Sequence, residues 1–284
     1  MPSEERDLRD RTFLVTGANT GIGRVTAETL ARRGGKVFLA CRSEEKAGPV
    51  IEGIRKAGGS AEFLALDLGS LGSVRAAAAR FLARDEPRHV LVNNAGVAGS
   101  RGATEDGFEL LFGTNHLGPF LFTNLLLPRL RASAPARIVN VASKSHYDAR
   151  GIDWDLLRKP TRTITALREY AVSKLCNVLF TRELARGKAG VGVRSYALHP
   201  GVIASEIWRR IPWPVRPLML RRMKSVVEGA QTTLHCATSP EVEGQDGRYY
   251  DDRHEKPPSR LSEDLLLAKT LWEKSEAWTA FAPA

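Results

Sequence analysis

Residues 12–23 read Thr12-Phe13-Leu14-Val15-Thr16-Gly17-Ala18-Asn19-Thr20-Gly21-Ile22-Gly23. Five residues suited to a strand run into three glycines. A helical pattern follows, with Val25, Ala27, Leu30 and Ala31 on apolar positions until Gly34-Gly35 end it. Glycine allows a tight turn and lets backbone N–H groups approach an anion at the positive end of the next helix. Three glycines could serve only close helix–strand packing. Their place after a strand and before a helix instead predicts a dinucleotide site built from Gly17, Asn19, Thr20, Gly21, Ile22 and Gly23.

Working outward, the alternation repeats. Strands are predicted at 36–40, 62–66, 89–93, 137–142, 191–198 and 247–250, with helices at 44–56, 70–84, 103–113, 116–131 and from Tyr170 onward. Strands that read as continuous Val/Leu runs between helices indicate parallel strands covered on both faces. The fold class expected is therefore α/β: a doubly wound (Rossmann) sheet of about seven mostly parallel strands with helices on both faces, its crevice at the strands' carboxyl ends. No repeat or linker divides residues 1–284, so a single domain is expected.

Composition fits this. Of 284 residues, 43% are hydrophobic and 26% charged, enough apolar material for a sizeable core. The net charge is +10, but Arg209, Arg210, Arg216, Arg221, Arg222 and Lys224 crowd one stretch without a carboxylate, so a nucleic-acid-binding surface is not required. Cys41, Cys176 and Cys236 form no disulfide framework, and the six histidines form no ligand cluster, so no metal is expected. The polar N-terminus lacks an apolar signal core, and Phe120–Leu127 is too short for a membrane span. A soluble, cytoplasmic protein is expected.

Five further groups carry chemistry. The second strand ends Leu39-Ala40-Cys41-Arg42-Ser43, with no acid to hold a ribose 2′-hydroxyl and with a guanidinium suited to a 2′-phosphate. NADP(H) is therefore expected over NAD(H). Asp67 and Leu68 are placed to meet the adenine, although Asp67 could equally cap the helix that follows. Asn94, Ala95 and Gly96 close the fourth strand with small residues that leave room for ribose or nicotinamide. Tyr170 and Lys174 share a helix face, where an ammonium would lower the tyrosine pKa. Ser143 puts a hydroxyl at the carboxyl end of the fifth strand, able to hydrogen-bond a carbonyl or alkoxide.

Together these motifs resemble the short-chain dehydrogenase/reductase family over about residues 10–255. The resemblance implies that Tyr170 is the general acid/base, that Ser143 polarises the carbonyl, and that Lys174 lowers the Tyr170 pKa and binds the nicotinamide ribose. It implies that Asn115 kinks its helix and holds a proton-relay water. It adds Pro200, Gly201, Ile203 and Ser205 to the cofactor residues. The long stretch between Ser143 and Tyr170, with His146, Tyr147, Asp153 and Trp154, looks like the retinol dehydrogenase-like branch. Members of that branch often carry an N-terminal membrane anchor, and none is read here. The family places a substrate lid at about 203–229, where Trp and Met residues alternate with basic ones, and a C-terminal extension follows at about 255–284. The substrate expected is a small lipophilic alcohol, aldehyde or ketone, with peripheral membrane contact through the basic lid as a further expectation. By analogy with the family a homodimer through the 116–131 and 170–187 helices is expected. The alternatives are reduction of a C=C bond in a large conjugated substrate, or a non-catalytic NADP(H)-sensing regulator.

Overall fold

A computed structural model describes residues 7–84, 86–202 and 224–281. Eight strands form one sheet in the order β3-β2-β1-β4-β5-β6-β7-β8. They are β1 (Thr12–Thr16), β2 (Lys36–Cys41), β3 (Ser60–Ala65), β4 (Val90–Asn93), β5 (Ala136–Val141), β6 (Val193–His199), β7 (Tyr249–Asp251) and β8 (His254–Glu255). The first seven pair in parallel, and β8 adds a two-residue antiparallel edge to the seven expected. The order turns back between β1 and β4, which opens the crevice at the strands' carboxyl ends.

The apolar runs explain the layers. Phe13, Val15, Val37 and Leu39 face one way, into a core with helices α1 (Gly21–Arg32) and α2 (Glu44–Lys56). Leu14, Phe38, Ala40, Leu91 and Ile138 face the other way, against α3 (Leu71–Leu82) and α5 (Gly118–Ala132). Burial on both sides is why these strands show no alternation of polar and apolar residues.

One expectation changes. Residues 103–113 are not one helix: Ala103 bridges to Glu109 in antiparallel fashion, and only Leu110–Phe112 (α4) is α-helical there. Gly102 and Gly107 sit at φ +139° and +78°, a conformation that turns the chain before a helix can propagate. Helix α6 (Leu167–Glu183) is buried on nearly every side from Ser173 to Thr181. The reason is the C-terminal helix α8 (Leu265–Thr279), which follows α7 (Val226–Thr238) and lies over α5 and α6. Trp272 stacks on Phe180 at 5.6 Å and meets Phe120 edge-on at 4.9 Å. The C-terminal extension thus caps the core, and the helices expected to pair in a homodimer are covered within the chain. Most of the stretch expected as a lid, 203–229, lies outside the described residues: 203–223, including Ile203 and Ser205. A capping box between Ser225 and Glu228 starts α7 at Val226.

Candidate active site

The turn after β1 is knitted to its neighbours while its own helix end stays open. Gly17 N–H donates to Ala40 O at 2.8 Å. Thr16 Oγ1 accepts from the N–H groups of Asn94 (3.0 Å) and Ala95 (2.9 Å), and Asn94 Nδ2 donates to Thr16 O at 2.8 Å. A Cβ on Gly23 would fall closer than 3.0 Å to Gly17 O and Asn94 Nδ2, so this glycine is required by packing. Gly21, at φ +56°, would point a Cβ into open space. Thr20 stands at the N-cap of α1 without a side-chain cap bond, and the first turn carries no acid. Asn19 and Ile22 are half-buried beside it and Thr20 is exposed. An uncapped helix N-terminus beside an open glycine suits a pyrophosphate, so these residues fit a dinucleotide.

At the next strand end Cys41 is buried, its thiol pushed up to about 11 by desolvation. Arg42 is exposed and has no ion-pair partner among the described residues. Ser43 caps α2 through Lys46 N–H at 3.2 Å. Asp67 does not cap α3, because Ser70 does; the Asp67 carboxylate instead accepts from Gly69 N–H at 2.9 Å. Leu68 is 5% exposed and packs in the core on the α3 and α5 side.

Asn115 occupies a π-helical turn (Gly113–Leu117) between α4 and α5, so the expected kink takes the form of a one-turn widening. Its Oδ1 accepts from Val97 N–H at 2.7 Å, and its Nδ2 donates to Val97 O (2.9 Å) and Ser173 Oγ (3.0 Å). The amide therefore fixes the loop after β4 against α6. A Cβ on Gly96 would lie 3.2 Å from Asn115 Oδ1 and 3.5 Å from Lys174 Nζ, so Gly96 keeps the floor between them open.

Ser143 follows β5 and is 9% exposed. Its Oγ accepts from Ser145 N–H at 3.1 Å and lies near enough to the Tyr170 phenol to oppose the rise of its pKa. Lys174 Nζ donates to Val141 O at 2.9 Å and sits 5.6 Å from the Tyr170 ring centre. The structure thus brings Asn115, Ser143, Tyr170 and Lys174 together at the ends of β4 and β5. Burial pushes the Tyr170 pKa up, with Ser143 opposing it. The ammonium is directed at a backbone carbonyl, and burial brings its own pKa down to about 8. At the end of β6, His199 is buried and held near a pKa of about 4, followed by half-buried Pro200 and by Gly201 at φ +96°. Two residues not singled out from the sequence complete the frame: Thr16 ties two loops together and Ser173 anchors Asn115. Thr16 was readable in principle, since a hydroxyl at a strand end beside a tight glycine turn has loop N–H groups within reach.

Comparison with known proteins agrees with this geometry. The family model for short chain dehydrogenases matches residues 11–151. The chain is 46% identical over 284 residues to bovine (Bos taurus) dehydrogenase/reductase SDR family member 13, covering 97% of this chain and 75% of that one. It is 44% identical over 273 residues to mouse (Mus musculus) retinol dehydrogenase 12, covering 93% and 85%. A crystal structure of an uncharacterized Mycobacterium paratuberculosis protein superposes with a TM-score of 0.77 at 34% identity, covering 98% and 97%. A Beutenbergia cavernae structure described as an NAD(P)-dependent gluconate 5-dehydrogenase, with NADP bound at low occupancy, has a TM-score of 0.69 at 26% identity over 87% and 96%. The chain belongs to the short-chain dehydrogenase/reductase family and is retinol dehydrogenase-like within it.

Proposed function

We propose that this short-chain dehydrogenase/reductase is an NADP(H)-dependent enzyme that interconverts a lipophilic alcohol and its aldehyde or ketone. The observation that carries the reading is the convergence of the Ser143 hydroxyl, the Tyr170 phenol and the Lys174 ammonium at the mouth of an open, uncapped glycine turn. The nicotinamide, when bound, supplies or accepts the hydride. Everything else falls to this chain. The N-terminus of α1 would receive the pyrophosphate, and Arg42, paired with no carboxylate among the described residues, the 2′-phosphate. Asp67 stands at the adenine side and Asn94, Ala95 and Gly96 at the nicotinamide side.

In the reductive direction Ser143 donates a hydrogen bond to the carbonyl oxygen while Tyr170 gives it a proton. A phenol whose pKa is pushed up by burial is fully protonated at neutral pH, which suits an acid. Lys174 at about 8 can take part in replacing that proton, and Asn115 holds the loop that lines its path. The substrate is read as small and lipophilic from the retinol dehydrogenase-like relatives. A regulator that binds NADP(H) without turnover would need none of the Ser143–Tyr170 pairing.

The three cysteines are free and buried, and no helix among the described residues is long and apolar enough to cross a membrane. On the free thiols we place the protein in the cytoplasm. Membrane contact through the basic stretch at 209–224, and self-association through a face other than α5 and α6, are compatible with this reading. The test is a fluorescence titration of NADPH and NADH against the wild type and Arg42→Ala. Tighter NADPH binding that disappears in the variant supports the assignment, and equal or tighter NADH binding in the wild type overturns it.

A further inference from the structure

The retinol dehydrogenase-like stretch after Ser143 begins with a short 3-10 turn, Lys144–Asp148, and one of its side chains is the only imidazole in that turn. His146 is fully buried. Both of its ring nitrogens are used. Nδ1 lies 2.7 Å from Ser143 O, an oxygen that can only accept, so Nδ1 carries the proton. Nε2 lies 3.0 Å from the N–H of Ser259, which can only donate, so Nε2 is the acceptor. The two backbone partners admit one neutral tautomer and no other.

The ring is clamped as well. Its centre is 4.0 Å from that of Tyr147 and 4.7 Å from that of Tyr249. Tyr147 Oη donates to Pro257 O at 2.5 Å, and Ser262 Oγ donates to Ser259 O at 2.6 Å, which closes the C-terminal strap on itself. Asp148 and Ser143 favour the charged imidazole, and burial outweighs them and keeps it neutral. Tyr147, Tyr249 and His199 are the other titratable groups close to it among the described residues.

We propose that His146 is a positioning residue for Ser143: it transmits the fixed strap Pro257–Ser262 to the Ser143 peptide, and so sets where the Ser143 hydroxyl meets Tyr170. The inference rests on the reading of Ser143 and Tyr170 given above. Ser143 O accepts from both His146 Nδ1 and His146 N–H, the latter at 3.2 Å, so the orientation of that peptide plane depends on the imidazole. The hydroxyl oxygen is two bonds away from the Cα that this plane fixes. A small rotation would move Oγ off the phenol without altering the cofactor loop, which hangs on other strands.

Two substitutions divide the imidazole between its partners. His146→Asn keeps a donor at the Nδ1 position and loses the Ser259 acceptor. His146→Gln keeps an acceptor at the Nε2 position and loses the donor to Ser143. Each loses one buried bond, so similar drops in melting temperature are expected. Turnover of nonanal with NADPH separates them: His146→Gln should lose about 10–100-fold in kcat and His146→Asn no more than about threefold, with the NADPH Kd unchanged in both. In a Ser143→Ala background His146→Gln should cost less than about twofold further, because its target is gone. Equal kcat losses in the two variants, or a full additional loss in the Ser143→Ala background, would reduce His146 to a structural role and overturn the proposal. Tyr170→Phe measured alongside separates this outcome from failure of the underlying reading, which would show as wild-type turnover in that variant. Independently of any substrate, imidazole nitrogen NMR at pH 7 should show His146 protonated on Nδ1 alone; an Nε2–H form would also overturn the proposal.

Discussion

The loop after β1 and the loop after β5 leave the same edge of one sheet, yet they are built on opposite plans. In the first, Thr20 offers α1 no side-chain cap, Gly21 faces open space and Arg42 beside it pairs with no carboxylate among the described residues. In the second, Ser143 Oγ, Ser143 O, His146 Nδ1 and His146 Nε2 all have partners, and Lys174 is tied to Val141 O. A loop that must receive a charged ligand keeps donors free, since each free N–H there is a bond reserved for the ligand. A loop that must present one hydroxyl within a fraction of an ångström keeps nothing free. The second loop also depends on the strap at 257–262 and helix α8, whereas the first is closed by the ends of β2 and β4.

This contrast can be broken from either side. Trp272→Ala removes the wedge between α8, Phe120 and Phe180, and with it the support behind α6; a loss of about 3–5 kcal/mol in urea unfolding is expected. Turnover should fall with it, while NADPH affinity of the folded fraction stays unchanged. Gly23→Val attacks the other loop by forcing a side chain into Gly17 O, at about 3 kcal/mol of misfit. Titration should then show cofactor binding weakened by more than about tenfold, while the circular dichroism spectrum remains that of the wild type.

Arg42→Ala should sharpen the contrast without disturbing the fold. Loss of a charged hydrogen bond to a 2′-phosphate is worth about 2 kcal/mol, so the NADPH Kd should rise roughly 30-fold and the NADH Kd should hardly move. The acid response belongs to the second side. Burial lowers His116 and His199 from 6.5 to about 3 and about 4. The unfolded chain takes up these protons at higher pH than the folded one. Stability should therefore be fully present above about 6.5 and decline as pH falls towards 4 and then 3. Melting temperatures between pH 7 and pH 4 check this, and His116→Gln should flatten the curve.

How much of this was legible in the sequence follows the same division. The first loop is local. Thr12–Gly23 carries strand, turn and helix signals within a dozen residues, and Arg42 stands at a strand end that apolar runs alone locate. The second is not. Tyr170, Lys174 and Ser143 were visible as residue types, but the direction of Lys174 towards Val141 O follows from how α6 crosses β5, which no spacing encodes. Asp67 was ambiguous because Ser70, three residues on, is an equally good cap and takes the helix. The 103–113 segment carried helical apolar spacing at Phe108, Leu111 and Phe112, and the two glycines that turn it were the contrary signal. Trp272 and Ser259 act across more than a hundred residues of chain, so their partners Phe120 and His146 could be named but not connected.

The central claim is that the second loop is a working proton-transfer site served by the first. Turnover of Tyr170→Phe with NADPH and a lipophilic aldehyde, paired with its NADPH titration, tests that most directly. The account predicts a kcat lower by about 10²–10⁴-fold with an unchanged NADPH Kd. Turnover at the wild-type rate in Tyr170→Phe would contradict it.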